Sequence, residues 1–474
     1  MSVPMPDASP LRWDIASLVQ AFRVGSLSPV EVAREALERI ERLDPVLHAF
    51  VSVEPEFTLT QALAAERSYR DGAEAPLLGV PISIKDAFYV SGMVTTLGSR
   101  VHGKVRAVSD SGVVSRLRAA GAVFTGKTNM AEFGQSATTD NLLGPATRNP
   151  WDLERTPGGS SGGAAASVAA GLSTAAIGSD GGGSIRIPAS FTGLFGVKPT
   201  HGFCPDENGF RAMTDFVSPG PLTARVADAR ALLRVLSERI LPAGDMTGRR
   251  MRVGWCPRPE GRPVDGGVAQ LTADAVVAVE ALGHELIEID LPIEGWAGIF
   301  GPLVLAEEHR ERGHLLDFAP DELTAYERTT LEAARRLRAT DVERAAGALA
   351  DFRARVASIF SVVDVIATPA VAVTAFPLGE RPVMINDEPV DSLWGAFPFA
   401  APFNVAGNPA ASLPCGTFES LPVGLQLITA VGEDALLLDF AEQLESEFAF
   451  DRSSLAERWD DVGDRLPLQR QVRP

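Results

Sequence analysis

The sequence predicts an α/β fold in which a sheet is covered by helices on both faces. Three observations carry this. Short apolar runs bounded by Gly, Pro and Asn alternate with stretches of helical periodicity, and the alternation persists along most of the chain. No internal repeat, low-complexity tail or linker breaks the 474 residues, so one large domain is the simpler account. With 45% apolar and 22% charged residues, the chain has ample material for a buried core.

The elements follow in order. Ser28-Pro29-Val30-Glu31 supplies an N-cap, a proline at the first helical position and a carboxylate three residues on, which predicts a helix running to Leu43. Leu77–Ile84 is interrupted by Gly79 and Pro81, and its second half predicts a buried strand ending at Lys85. A helix over Val113–Ala120 stops at Gly121, and a strand follows over Ala122–Thr125. Gly, Pro and Asn mark residues 141–157 as loop. An alanine-rich helix over Ala164–Ala170, a strand over Ser173–Ile177 and a tight turn at Gly181–Gly183 come next. Further strands are expected over Val253–Cys256, Leu286–Leu291, Val362–Ala367 and Gly424–Thr429. One or two long helices are expected in Leu323–Phe360, and a last helix over Asp434–Phe448.

Composition excludes several functions. A net charge of -18 with no basic cluster argues against nucleic acid as a partner, because such binding is driven by neutralising phosphates. The apolar stretch Ala164–Gly178 is short and broken by Ser and Gly, which argues against a membrane span. The N-terminal residues have neither a basic region nor an apolar run, so no secretory signal is expected. Cys204, Cys256 and Cys415 have no paired metal spacing. A reducing, cytoplasmic compartment suits them, as three buried, inert thiols. Of 43 basic residues only four are lysines: Lys85, Lys104, Lys127 and Lys198. Lysine loses its proton when desolvated and arginine does not, so these four mark places where arginine cannot serve.

Several motifs compete for the chemistry. Gly121-Ala-Val-Phe-Thr-Gly126-Lys127-Thr128 fits the phosphate-binding loop pattern, but that loop follows a strand, and here a helix precedes it and the strand lies inside. His309 and His314 in EEHRERGH do not make the H-E-x-x-H zinc pattern and are expected on a solvated helix face; no metal site is expected. No G-x-S-x-G elbow is present, and His201, the histidine next downstream, is a poor triad candidate.

Two glycine–serine clusters are more informative. Thr156-Pro-Gly-Gly-Ser-Ser-Gly-Gly163 has the composition of a flexible linker, or of an active-site turn where a second backbone approaches closely. Asp180-Gly-Gly-Gly-Ser184 decides between them. Three glycines after a strand leave backbone N–H groups free to converge on an oxyanion, with Ser184 at the end. A nucleophilic Ser184 needs a proton acceptor. Ser160 cannot act as a base unaided, but Lys85, desolvated beside hydroxyl groups, can be neutral and draw the proton through it.

These segments extend into a wider resemblance. Leu78-Gly-Val-Pro-Ile-Ser-Ile-Lys85-Asp86, Gly126-Lys-Thr-Asn-Met130, Pro157–Gly163, Asp180–Ala189, Phe195-Gly-Val-Lys-Pro-Thr200, Pro402–Pro409 and Leu421-Pro-Val-Gly-Leu-Gln426 resemble the amidase signature family across nearly the whole chain. The resemblance implies a single α/β/α domain over residues 1–474, built on a large twisted mixed sheet with helices on both faces. Residues 1–70 would form N-terminal helices, 71–230 the signature core, and 231–474 a half that walls the substrate pocket.

It also implies a Ser–cis-Ser–Lys triad of Ser184, Ser160 and Lys85. The oxyanion hole would be made by the N–H groups of Gly181, Gly182, Gly183 and Ser184. The same matching places Phe133, Gly134 and Gln135 at the acyl-binding loop and gives Ser179 a polar contact. Asp180 and Arg186 would brace the turn as an ion pair, and Ser161 would start the alanine helix. No cofactor is implied.

The substrate would be a small amide, ester or carbamate, and the chain a monomer or homodimer without membrane or nucleic-acid partners. Leu303–Asp317 lacks the Tyr-Asp-Gly pattern of the glutamine-dependent amidotransferase subunits, so a free-standing amidase is expected ahead of an ammonia-supplying subunit. Trp296–Asp317 and Phe376–Phe403, with Trp394, Phe397 and Phe399, are expected to line the specificity pocket and to favour apolar or aryl amides.

Overall fold

Eleven strands join one mixed sheet. The computed structural model describes residues 9–460 apart from 104, 245 and 247, so Lys104 and the start of the N-terminal segment lie outside the described residues. In chain order the strands are β1 (Phe50–Ser52), β2 (Pro81–Lys85), β3 (Val123–Thr128), β4 (Ala175–Asp180), β5 (Phe195–Lys198), β6 (Ser218–Thr223), β7 (Arg252–Trp255), β8 (Glu285–Glu288), β9 (Val365–Pro369), β10 (Ala410–Phe418) and β11 (Leu421–Ile428). Across the sheet they run β1-β3-β2-β4-β6-β5-β10-β11-β9-β7-β8. Parallel pairing joins β3, β2 and β4 on one side and β9, β7 and β8 on the other, with antiparallel strands between.

The period of two along a strand sends alternate side chains to opposite faces. On β2, Ile82 and Ile84 enter the largest core, with Val113, Leu117 and Leu232 from covering helices. Ser83 points the other way and shares a 2.8 Å hydrogen bond with Ser167 of helix Gly162–Ala169. Lys85, two residues on, belongs to that second face. On β4 the division repeats, Ala175 and Ile177 joining the first core and Ala176 a second one with Ala165 and Leu172. The α/β arrangement read from the sequence is therefore the observed one.

Several boundaries move for physical reasons. The long helical segment splits into Ala325–Arg335 and Ala339–Ser358. Its helical turns persist to Ser361, so the strand expected at Val362 starts at Val365. The strand expected over Leu286–Leu291 stops at Glu288, four residues before Pro292. β3 continues through Thr128 and absorbs Gly126-Lys127-Thr128 into the sheet, which removes the phosphate-loop reading. β6, Ser-Pro-Gly-Pro-Leu-Thr, has no strand signal in its sequence. Its two prolines alternate, so both missing donors fall on one edge of the strand.

Lys85, Lys127 and Lys198 are all fully buried, as the rarity of lysine suggested. Of the thiols, Cys204 and Cys256 are buried but Cys415 is only half-buried, because the β10 segment around it leaves the core. Burial pushes the Cys256 thiol up to about 11. His309 and His314 are exposed. Among the described residues no helix is long and apolar enough to cross a membrane, and no cluster of His, Cys, Asp or Glu is arranged to hold a metal ion.

Helix Gly162–Ala169 is fully buried and starts against two other backbones. A Cβ at Gly163 would stand 2.5 Å from the carbonyl oxygens of both Ala49 and Asn129. Glycine to alanine in an exposed helix interior stabilises by about 1 kcal/mol. At Gly163 the sign reverses: Gly163→Ala should destabilise by about 1–3 kcal/mol, as overpacking does. A urea midpoint equal to that of the wild type would contradict this close packing.

Candidate active site

Lys85 reaches from the end of β2 toward the start of helix Gly162–Ala169, where Ser160 and Ser161 stand. Its Nζ lies 2.7 Å from Ser160 Oγ, 2.9 Å from Ser161 Oγ and 3.0 Å from Ser179 Oγ on β4. Burial pushes the amine down to about 7, against the opposing pull of the Asp180 carboxylate. Ser160 follows Gly159 through a cis peptide bond. Ser161 does not cap the helix with its side chain; its hydroxyl is held between Lys85 and the Ser179 carbonyl. The sequence hides that role, because a serine before an alanine run reads first as an N-cap.

Ser184 closes the glycine turn after β4 and lines the same cavity as Ser160 and Ser179. The Ser161 N–H donates to the Ser184 carbonyl at 3.3 Å, which stitches the two turns together. Among the described residues, no hydrogen bond joins the Ser160 and Ser184 hydroxyls in this conformation. Gly183 has a φ of 120°, and a Cβ there would press on Ala400 and Ile187 at 2.7 Å, so glycine is required. Its N–H donates to Asp180 at 2.7 Å. The expectation that Gly183 offers a free oxyanion donor is thereby altered: among the described residues, the unengaged donors of the turn are Gly181, Gly182 and Ser184.

A buried ion pair fixes this turn. Arg186 donates from Nε and Nη2 to the two Asp180 oxygens at 2.9 Å each. Its remaining donors reach the Ala400 carbonyl at 3.0 Å, Gln426 at 2.7 Å and Asn404 at 2.5 Å. All five guanidinium N–H groups are used. Burial alone would raise the Asp180 carboxyl, but Arg186 and Asn404 outweigh it and hold the group well below the usual carboxylate range. Lys127 shows the contrasting use of a buried amine. It donates to Asp86 at 2.8 Å and Thr95 at 2.9 Å, a closed structural pair.

The cavity at Ser184, about 420 Å³, is lined by Phe88, Met130, Phe133, Gly134 and Met213 beside the catalytic candidates. Its far wall comes from residues 201–219, including His201, which hydrogen-bonds the Thr214 carbonyl at 3.1 Å rather than a serine. The expected wall therefore needs correction. Phe397 and Phe399 are core residues, Phe397 packing on Phe191 and Phe376. Trp394 packs edge-on to Trp296 and Phe300 and lies behind Gly182, 3.3 Å from where its Cβ would be. Of the segment Trp296–Asp317, Glu311, Arg312, His314 and Leu315 line a neighbouring cavity instead. Gln135 also leaves the pocket, its Nε2 donating to Glu308 at 2.6 Å.

Comparison with known proteins identifies the family. The Amidase family model matches residues 31–438. The chain belongs to the amidase signature family. A putative amidase, AmiB2, of Mycobacterium tuberculosis is 37% identical over 440 residues, covering 89% of this chain and 93% of that protein. A glutamyl-tRNA(Gln) amidotransferase subunit of Symbiobacterium thermophilum is 34% identical over 467 residues, covering 90% and 95%. The crystal structure of a bacterial aryl acylamidase of the family superposes with a TM-score of 0.84 at 27% identity, covering 97% of this chain and all of that one. The protein is thus an amidase signature hydrolase, of a family that hydrolyses amides.

The Asp180–Arg186 pair yields a stability prediction. Asp180→Asn leaves the Arg186 guanidinium buried without its counter-charge and should cost about 3–5 kcal/mol, read as a lower denaturant midpoint. A loss below about 1 kcal/mol, the scale of an exposed pair, would show that water reaches the site.

Proposed function

We propose that this protein is a free-standing amidase that cleaves the C–N bond of small apolar or aryl amides through a Ser184 acyl-enzyme. The same chemistry extends to aryl esters and carbamates. One observation carries the reading. The Lys85 amine is fully buried with three hydroxyl partners and no carboxylate partner, whereas Lys127, equally buried, is paired with Asp86. A buried amine facing hydroxyls is a base; one facing a carboxylate is a brace.

In its neutral form Lys85 has two N–H donors and one lone pair. Ser161 and Ser179 accept the donors, which leaves the lone pair for the Ser160 hydroxyl at 2.7 Å. Ser184 passes its proton to Ser160 as Ser160 passes its own to Lys85, and Ser184 Oγ attacks the carbonyl carbon. The N–H groups of Gly181, Gly182 and Ser184 hold the tetrahedral oxyanion. Ser160 then returns a proton to the leaving nitrogen and is reprotonated by Lys85. Water hydrolyses the ester by the same relay in reverse. Asp180 and Arg186 hold the turn and take no proton.

The apolar lining by Phe88, Met130, Phe133 and Met213 supports an apolar or aryl acyl group. The likeness to an aryl acylamidase supports the same class. The amidotransferase relatives favour a second reading, an ammonia-supplying subunit that hydrolyses glutamine for a partner. Incubating the purified chain with nitroanilides and with glutamine separates the two. Turnover of anilide without any partner is expected, and glutamine hydrolysis alone would favour the subunit.

Ser184→Ala and Lys85→Ala should each lower anilide turnover by roughly 10³-fold or more. Full activity in both would refute the assignment. The pH profile follows from the base: Lys85 is neutral above about 7 and protonated below it. Log kcat/KM should therefore fall with unit slope below about pH 7, and a flat acid limb would sink the relay.

A further inference from the structure

Two cavities meet behind the acyl-binding loop. The inner one holds Ser160 and Ser184; an outer one of about 630 Å³ is lined by Tyr89, Leu97, Val101, His102 and Leu315. Phe133, Gly209, Phe210 and Arg211 line both, so the wall between them is one layer of side chains thick. In that layer the Phe133 and Phe210 rings stack with centroids 6.1 Å and planes 28° apart. The Arg312 guanidinium lies over both, 5.3 Å from Phe133 and 5.1 Å from Phe210.

Arg312 is itself locked in place. Nε and Nη2 donate to the two oxygens of Glu308, and Nη1 donates to the Arg211 carbonyl at 2.9 Å. Glu308 is fully buried and also accepts from Gln135, two residues beyond Phe133. The cation over the rings, its counter-charge and the acyl-binding loop thus form one rigid unit. Phe133 sits in it with a φ of 49°, a conformation that a bulky residue holds only when its surroundings enforce it.

We propose that the Phe133–Phe210–Arg312 layer is a specificity-determining partition that confines the acyl group to the inner cavity and so selects short acyl amides over long ones. The proposal rests on reading the Ser184 cavity as the hydrolytic site. The outer cavity, with Leu97, Val101 and Leu315 on its lining, is the space a long acyl chain would enter if the layer were breached. Each methylene buried there would gain roughly fourfold in affinity. Arg312 and Glu308 act as positioning residues in this scheme, since neither lines the inner cavity.

The test is the ratio of kcat/KM for decanoyl to butyryl p-nitroanilide. The wild type should favour butyryl, and Phe210→Ala should raise the decanoyl-to-butyryl ratio at least tenfold. Arg312→Met combined with Glu308→Gln, which leaves neither charge unpaired, should raise it in the same direction. A wild type that already favours decanoyl, or ratios within twofold of wild type in both variants, would overturn the partition. Equilibrium binding of the two anilides to Ser184→Ala, with and without Phe210→Ala, reads the same ratio without turnover. A chain that cleaves no anilide would therefore refute the hydrolytic reading while the binding ratio still decides the partition.

Discussion

Keeping one lysine amine out of water is the constraint on which the rest of the site depends. Lys85 is fully enclosed by sheet and helix, and its proton affinity falls because an ammonium there would lose its hydration. The Asp180 carboxylate works against this, favouring the charged amine. Arg186 meets the same carboxylate at contact distance and holds it ionised in the glycine turn. Burial outweighs the pull of that carboxylate on Lys85, and the amine stays near 7. Lys198 feels the same arrangement: burial and then Arg186 push it down to about 7, and its amine donates to the Pro199 carbonyl at 2.9 Å.

The scarcity of lysine acquires a physical meaning from this. An ion pair on the surface is served well by arginine, whose fork stays charged and binds bidentately. Arg252 on Asp364 is of that kind. The described lysines stand where a compact amine must fit inside the sheet, facing hydroxyls, a carboxylate or a carbonyl.

Much of the centre was legible before the fold was known. Ser160, Ser184 and Lys85 sit in glycine-rich or strand-end contexts whose chemistry is local, and the structure brings Ser160 and Ser184 to one cavity with Lys85 beside them. What was illegible depends on residues distant in sequence. Ser161 looks like a cap until β4 is placed beside it, and Gly183 looks like a free donor until Asp180 turns back on it. The aromatic-rich segments near Trp296 and Trp394 suggest a pocket wall in the sequence, because aromatic residues signal apolar contact. Those rings pack on one another and behind Gly182, while the unremarkable stretch 201–219 forms the wall. β6 is hidden in the sequence because its prolines argue against a strand unless both neighbours are known.

The brace around Arg186 draws on Asn404 and Gln426, 218 and 240 residues further along the chain. Contacts of such separation close late, since the intervening chain must be ordered before they form. A chain ordered only as far as Arg186 therefore has the Asp180 pair but neither of the distant acceptors that hold the guanidinium from its other side. The glycine turn that Ser184 closes is fully braced only when the strand carrying Gln426 has joined the sheet.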